Sequence, residues 1–448
     1  MNDPSPVTSP RRTRSRRAAL LVAALLVTGI VWAVGRSIVI LRGFKHDSTG
    51  RAVRSRDVYA DSPYLNARLG VGYVGDAACA RCHRKIAEAY NSHSMGRSLA
   101  PVGGSEAGPP TGAEAGLPFE SQGIWYTVER RGGRTFHKAT RHGADGGVLA
   151  EIDVEVKFAL GSGTHGINFL IERDGILFQS PIAWFAQPAR WGISPGFGDY
   201  TTHPNFERGI HADCLFCHTN RVRAVAGTLN RYEPPIFQGY AIGCERCHGP
   251  GALHVNQGGP SAESGLNIVN PADLAPALRD SVCQQCHLQG SFRTTRAGRE
   301  AFDFRPGLPL QRFWAVFERN TGKHDRFEAV GQVEQMESSR CFRESQGQLG
   351  CISCHDPHRL PDPKTKIAYY RDRCMECHQT KGCALPTAVR QKREQNDDCV
   401  ACHMPRLAVQ NIPHTAATNH RIPRGITGSV PDRQVWLEAS PAVLPARP

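Results

Sequence analysis

The sequence predicts a mainly α chain with extensive loops, a small β-rich insert and an N-terminal transmembrane helix. Three observations carry this. Seven Cys-x-x-Cys-His segments punctuate residues 79–403 at irregular spacing, which suits short helices joined by loops. The Cys-free stretch 117–190 contains the period-two alternation of strands. An apolar run over residues 18–34 follows a cluster of arginines.

Residues 11–17 read Arg-Arg-Thr-Arg-Ser-Arg-Arg, and no charge follows until Arg36. A basic flank before an apolar core marks an export signal or a membrane anchor. The 17-residue run is long for a signal core and short for a span. Residues 38–41 extend it, with Arg36 snorkelling. The small-x-small match at Ala33-Val34-Gly35 is loose, so residues 1–42 read as an uncleaved signal anchor; a cleaved signal peptide is the alternative. The arginines keep the N-terminus in the cytoplasm. The rest then lies on the periplasmic side of the bacterial inner membrane, or free in the periplasm after cleavage.

Residues 43–75 are polar and read as a linker. The first Cys-containing segment spans 76–100. Residues 101–210 combine a Gly- and Pro-rich loop with the β-rich insert, in which 126–131, Gly132-Gly133 and 135–140 read as a hairpin. Residues 211–422 carry the other six segments, and 423–448 form a Pro-rich tail.

Fourteen of the 16 cysteines fall in the seven motifs. In order these are Cys79/Cys82, Cys214/Cys217, Cys244/Cys247, Cys283/Cys286, Cys351/Cys354, Cys374/Cys377 and Cys399/Cys402. The histidines that follow are His83, His218, His248, His287, His355, His378 and His403. Structural zinc combines such pairs in twos; seven is odd, and zinc has no need of His at that position. With His at 19 of 448 residues, seven placements in seven are not chance. Haem needs this pattern: two thiols add to the porphyrin vinyls and the adjacent imidazole reaches the iron. The chain is therefore read as holding seven covalently attached haem c groups. Cys341 and Cys383 remain, as a disulfide or as two separate thiols, with Cys341 also a candidate ligand.

The formal charge of +13 would ordinarily suggest nucleic acid or acidic membranes. Residues 1–36 supply +5 of it, and seven haems with ionised propionates add about −7 to the remaining +8. The basic excess answers to propionates, and no nucleic-acid partner is expected.

The sixth position of each iron decides between electron carriage and small-molecule chemistry. Only Met95 and Met336 are free to serve, whereas twelve histidines lie outside the motifs. Bis-His ligation is the expected state. The candidate distal ligands are His93, His165, His211, His254, His358, His414 and His420. His254 follows a Gly-Pro-Gly turn after motif 3, and His358 closes Cys-His-Asp-Pro-His in motif 5. His203 competes with His211; His137, His142 and His324 read as surface or propionate-bonding residues.

The run Tyr73-Val74-Gly75-Asp76-Ala77-Ala78-Cys79 with Tyr90-Asn91-Ser92-His93 resembles the opening of the cytochrome c-552/c-554-type multihaem family. Cys244-Glu-Arg-Cys-His-Gly-Pro-Gly and Cys351-Ile-Ser-Cys-His-Asp-Pro-His resemble segments shared with its relatives, the octahaem hydroxylamine oxidoreductases and pentahaem nitrite reductases. The resemblance covers roughly residues 70–425. It implies stacked haems, mostly bis-His, with His93, His254 and His358 as distal ligands to haems other than the nearest in sequence. The Cys-x-x-Cys-Lys of the nitrite reductases does not occur here, and no cross-linking Tyr is assigned.

The reading that follows is an electron carrier linking a membrane quinol-oxidising donor to a periplasmic acceptor, and it overlaps with that of a subunit of a larger respiratory complex. No catalytic residue is named. The alternative is an oxidoreductase in which one open haem acts on a small nitrogen or sulfur compound.

Overall fold

The computed structural model describes residues 58–60, 62–103, 117–187, 189–197, 205–257, 265–317, 327–380, 382–392, 396–412 and 414–424. The anchor read over residues 1–42, His203 and His324 lie outside the described residues. Among the described residues no helix is long and apolar enough to cross a membrane.

Strands and helices share the chain almost evenly, at 24% and 28%, so the expectation of a mainly α chain is corrected. The helices are short, from four residues (Glu245–His248) to 13 (Lys366–His378), because a motif needs little more than one turn to present its Cys and His. The strands extend beyond the stretch that showed alternation. Several are two to four residues long, too short for a period to be visible in sequence.

Two antiparallel sheets form from residues 99–209. Their strands are β1 (Leu99–Pro101), β2 (Phe119–Ser121), β3 (Ile124–Arg131), β4 (Arg134–His142), β5 (Val148–Val156), β6 (Phe158–Leu160), β7 (Gly166–Arg173), β8 (Ile176–Gln179), β9 (Ile182–Ala186), β10 (Ala189–Ile193) and β11 (Arg208–Gly209). One sheet is the meander β2-β3-β4-β5. The other runs β1-β6-β7-β8-β11, with β9 also pairing β7 and carrying β10. The hairpin read around Gly132-Gly133 forms as β3–β4: both glycines take positive φ, 56° and 78°, which the tight turn requires.

Alternation on β4 turns Thr135, His137 and Ala139 inward, where Tyr126, Phe169, Trp184 and Trp191 complete a core. His137 is fully buried rather than at the surface. Its Nδ1 lies 2.7 Å from the Ser180 hydroxyl, and its ring meets Phe169 and Trp191 edge-on at 4.7 and 5.9 Å.

A second core joins the larger sheet to the motif-bearing region. It gathers Leu99, Leu170 and Leu177 with Phe216 of motif 2 and with Phe302, Phe313 and Trp314. From the linker read over residues 43–75, Val58, Tyr59 and Ala67 join it. Two ribbons complete the fold: β12 (Phe292–Thr295) with β13 (Trp314–Phe317), and β14 (Arg406–Ala408) with β15 (Ala416–Thr418).

Two outcomes are expected. Phe216 is fully buried between Phe302 and Trp314, at 5.3 and 5.1 Å between ring centroids. Phe216→Ala should cost about 3–5 kcal/mol by thermal or denaturant melting. Burial holds His137 down to about 3, against about 6.5 in an unfolded chain. The unfolded state therefore binds the extra proton between those values, and stability falls as pH drops through that window. His137→Gln should flatten this part of the Tm–pH curve.

Candidate haem-binding sites

In a helical turn, residues three and four apart share a face. A Cys-x-x-Cys-His run in this conformation turns both thiols and the imidazole to one side. The backbone shows that turn: His83 N donates to Cys79 O at 2.9 Å, His248 N to Cys244 O at 3.0 Å and His355 N to Cys351 O at 3.0 Å. Asp398 caps motif 7 by accepting from Val400 N and Ala401 N. Asp76, before motif 1, accepts from Cys244 N at 2.8 Å and so ties motif 1 to motif 3. Glu245, inside motif 3, answers by accepting from Val74 N and Gly75 N at 2.9 Å each, and from Gly251 N at 2.8 Å.

The motifs face one connected cavity of about 3230 Å³. All seven motif histidines line it, as do all the motif cysteines except Cys214. His93, His165, His254, His358 and His420 line it too; His211 and His414 do not.

Two metal–imidazole bonds of about 2 Å each, plus the ring radii, set the two axial imidazoles of one metal roughly 6 Å apart between centroids. Three pairs meet that separation across the cavity. His83 faces His254 at 6.2 Å and 18°, His248 faces His358 at 5.9 Å and 7°, and His355 faces His420 at 6.3 Å and 37°. Each pair joins one motif histidine to one from outside the motifs. The residues therefore fit a set of covalently held, axially ligated haems.

Second partners fix the rings. His248 Nδ1 donates to Val269 O at 2.8 Å, His403 Nδ1 to Pro423 O at 2.9 Å, and His420 Nδ1 to Thr418 O at 2.9 Å. His287 Nδ1 lies 3.2 Å from Gln332 Oε1, whose amide nitrogen is spent on Ala329 O. A carbonyl partner puts the proton on Nδ1 and leaves the Nε2 lone pair for a metal. Surrounding protein pushes His355 down to about 4, with His420 adding to the effect, so its ring is neutral as a ligand must be.

The Gly-Pro-Gly turn that presents His254 needs glycine twice. Gly249 has φ +76°, and a Cβ there would meet Asn66 Nδ2 at 2.8 Å; a Cβ on Gly251 would meet Val74 at 2.9 Å. Asn66 closes the turn by donating to His248 O at 2.9 Å.

Among the described residues the other distal candidates stack on no motif imidazole, although His93 lies within electrostatic reach of His355. His93 packs on Tyr90 at 5.8 Å, and its Nδ1 accepts from Met95 N at 3.1 Å. His165 is exposed, within electrostatic reach of Arg406, which follows motif 7. His211 is exposed as the residue before helix Ala212–Phe216, and His414 meets Phe185 edge-on at 5.3 Å. Cys341 and Cys383 are not joined: Cys341 lies near Cys377, and exposed Cys383 accepts from Leu385 N.

Motifs meet through their cysteines. Side-chain proximity pairs Cys79 with Cys244, Cys217 with Cys286, Cys283 with Cys351, and Cys374 with Cys399. Cys247 lies within electrostatic reach of Cys283 and Cys286, and Cys354 of Cys374. The contacts run 1–3–4–5–6–7, with motif 2 branching from motif 4. Three polar residues not singled out in the sequence lie at this junction: Arg246, Gln285 and Arg293. Arg246 and Gln285 stand between motif cysteines, where sequence alone gives a side chain no direction.

A family model described as cytochrome c554 and c-prime matches residues 199–249, which include motifs 2 and 3. The multiheme cytochrome MtrA of Shewanella baltica is 22% identical over 259 residues, covering 53% of this chain and 68% of that protein. The crystal structure of the outer cell wall cytochrome OcwA aligns with a TM-score of 0.47 at 16% identity, over 78% of this chain and 79% of that one.

His420→Ala in the full-length, haem-loaded protein should convert one low-spin iron to high-spin by EPR. Added imidazole should restore the low-spin signal.

Proposed function

Taking as premise that the chain is a multihaem c-type cytochrome that transfers electrons, we propose that it carries seven haems as one branched wire. The observation that carries this is the unbroken sequence of motif-to-motif contacts, supported by the three opposed imidazole pairs. Haem iron supplies the one-electron chemistry. The chain's own part is to hold each group by two thioethers, fix its axial ligands and set neighbouring groups close. Because c-type haem is attached outside the bacterial cytoplasm, the wire works there, taking electrons from a membrane quinol-oxidising donor and delivering them to a periplasmic acceptor.

In this reading His83 and His254 ligate the first iron, His248 and His358 the third, and His355 and His420 the fifth. His93 and His165 are the cavity-lining candidates for the remaining irons, whose motif ligands are His218, His287, His378 and His403.

One observation favours a second reading. Among the described residues His218, His378 and His403 stack on no second imidazole, whereas His287 lies within electrostatic reach of His420 and His355. An iron with one open side binds and transforms a small molecule, here a nitrogen or sulfur compound.

EPR of the oxidised protein separates the two. Wholly low-spin haem with nitrogenous ligands is the expected result for the wire. A high-spin haem that shifts on adding nitrite, hydroxylamine or cyanide would overturn pure electron carriage and establish the second reading.

A further inference from the structure

Arg246 stands between the two cysteines of motif 3, yet it is only 7% exposed. Its Nη2 donates to Phe216 O of motif 2 at 2.7 Å. Its guanidinium carbon lies 4.2 Å from the Phe216 ring centroid and 5.1 Å from that of Phe302. Its own carbonyl accepts from Gln285 Nε2 of motif 4 at 3.0 Å. Gln285 O in turn accepts from Arg293 Nη1 at 3.0 Å, and Arg293 stacks 4.1 Å over Trp314. The residues between the cysteines of motifs 2, 3 and 4 are thus laced together by two arginines.

Two donors are left over. Arg246 Nε and Arg293 Nη2 are buried without a hydrogen-bond partner, and neither guanidinium is in an ion pair among the described residues. The nearby Glu245 carboxylate is taken up by three backbone N–H groups. A buried cation without a counter-charge is costly and calls for an anion.

We propose that Arg246 and Arg293 hold the attachment segments of motifs 2, 3 and 4 in register and raise the reduction potential of the haem set against them. A ferric haem core carries one more positive charge than a ferrous one, so a fixed cation in a low-dielectric interior disfavours oxidation. Pairing of the free N–H groups with a haem propionate acts with the same sign, by cancelling negative charge. A cavity of about 10 Å³ beside Arg246, also lined by Tyr73, Asn220 and Glu245, is about the least that admits one water. A water on Nε leaves the cation uncompensated, and the sign is unchanged. The branch point of the wire thereby becomes a preferred resting place for an electron.

This rests on reading motifs 2–4 as haem attachment sites, and the test keeps the two apart. Haem content of the full-length protein, by pyridine haemochrome absorbance, tests attachment; a spectroscopic redox titration tests the arginines. In Arg246→Gln and in Arg293→Gln, haem content is expected to stay at wild type while one component of the titration moves to lower potential. Arg246→Lys, which keeps charge but not the fork, is expected to hold that potential while lowering Tm. Full haem content with an unchanged titration in both Gln variants overturns the proposal. So does a shift in Arg246→Lys as large as in Arg246→Gln. If Arg246→Gln loses haem, the half-buried Arg293 decides through Arg293→Gln alone.

Discussion

His248 and His358 stand 5.9 Å apart and within 7° of parallel, one belonging to motif 3 and the other following motif 5. The constraint this expresses, an imidazole from one segment opposed to an imidazole from another, recurs at His83–His254 and His355–His420. Each opposition joins segments far apart in sequence across the cavity. The protein does not surround a core of side chains here; it surrounds the places where iron is held, and the polypeptide between those places stays short and loop-like.

The remaining stability comes from elsewhere. Two antiparallel sheets supply an ordinary apolar core, with His137 locked neutral inside it. A second core carries Phe216 of motif 2 into contact with Phe302 and Trp314, so this motif is anchored in conventional packing. The arginines at that junction share this aromatic bed. Packing, attachment and charge therefore meet at the contact of motifs 2, 3 and 4.

What the sequence made legible follows from distance along the chain. Thioether attachment is local chemistry, and its five-residue signature is complete in itself. The Gly-Pro-Gly turn before His254 and the Asp-Pro before His358 are also local and could be read as devices that swing an imidazole outward. The partner of each was not legible: His355 and His420 are 65 positions apart, and only the fold brings them together. The contacts between cysteines of different motifs are non-local in the same way. The strand content was underestimated because pairs such as Arg406–Ala408 with Ala416–Thr418 are three residues each and show no period. His137, read as a surface or propionate-bonding residue, lies instead in the sheet core, because its inward register on β4 is not visible from polarity alone.

Motif 4 alone joins the branch at motif 2 to motifs 3 and 5, so a wire along these contacts requires each motif to hold its own group. Intact-mass spectrometry of the exported protein tests this most directly. The account predicts the mature polypeptide plus seven haems; a mass carrying fewer would contradict it.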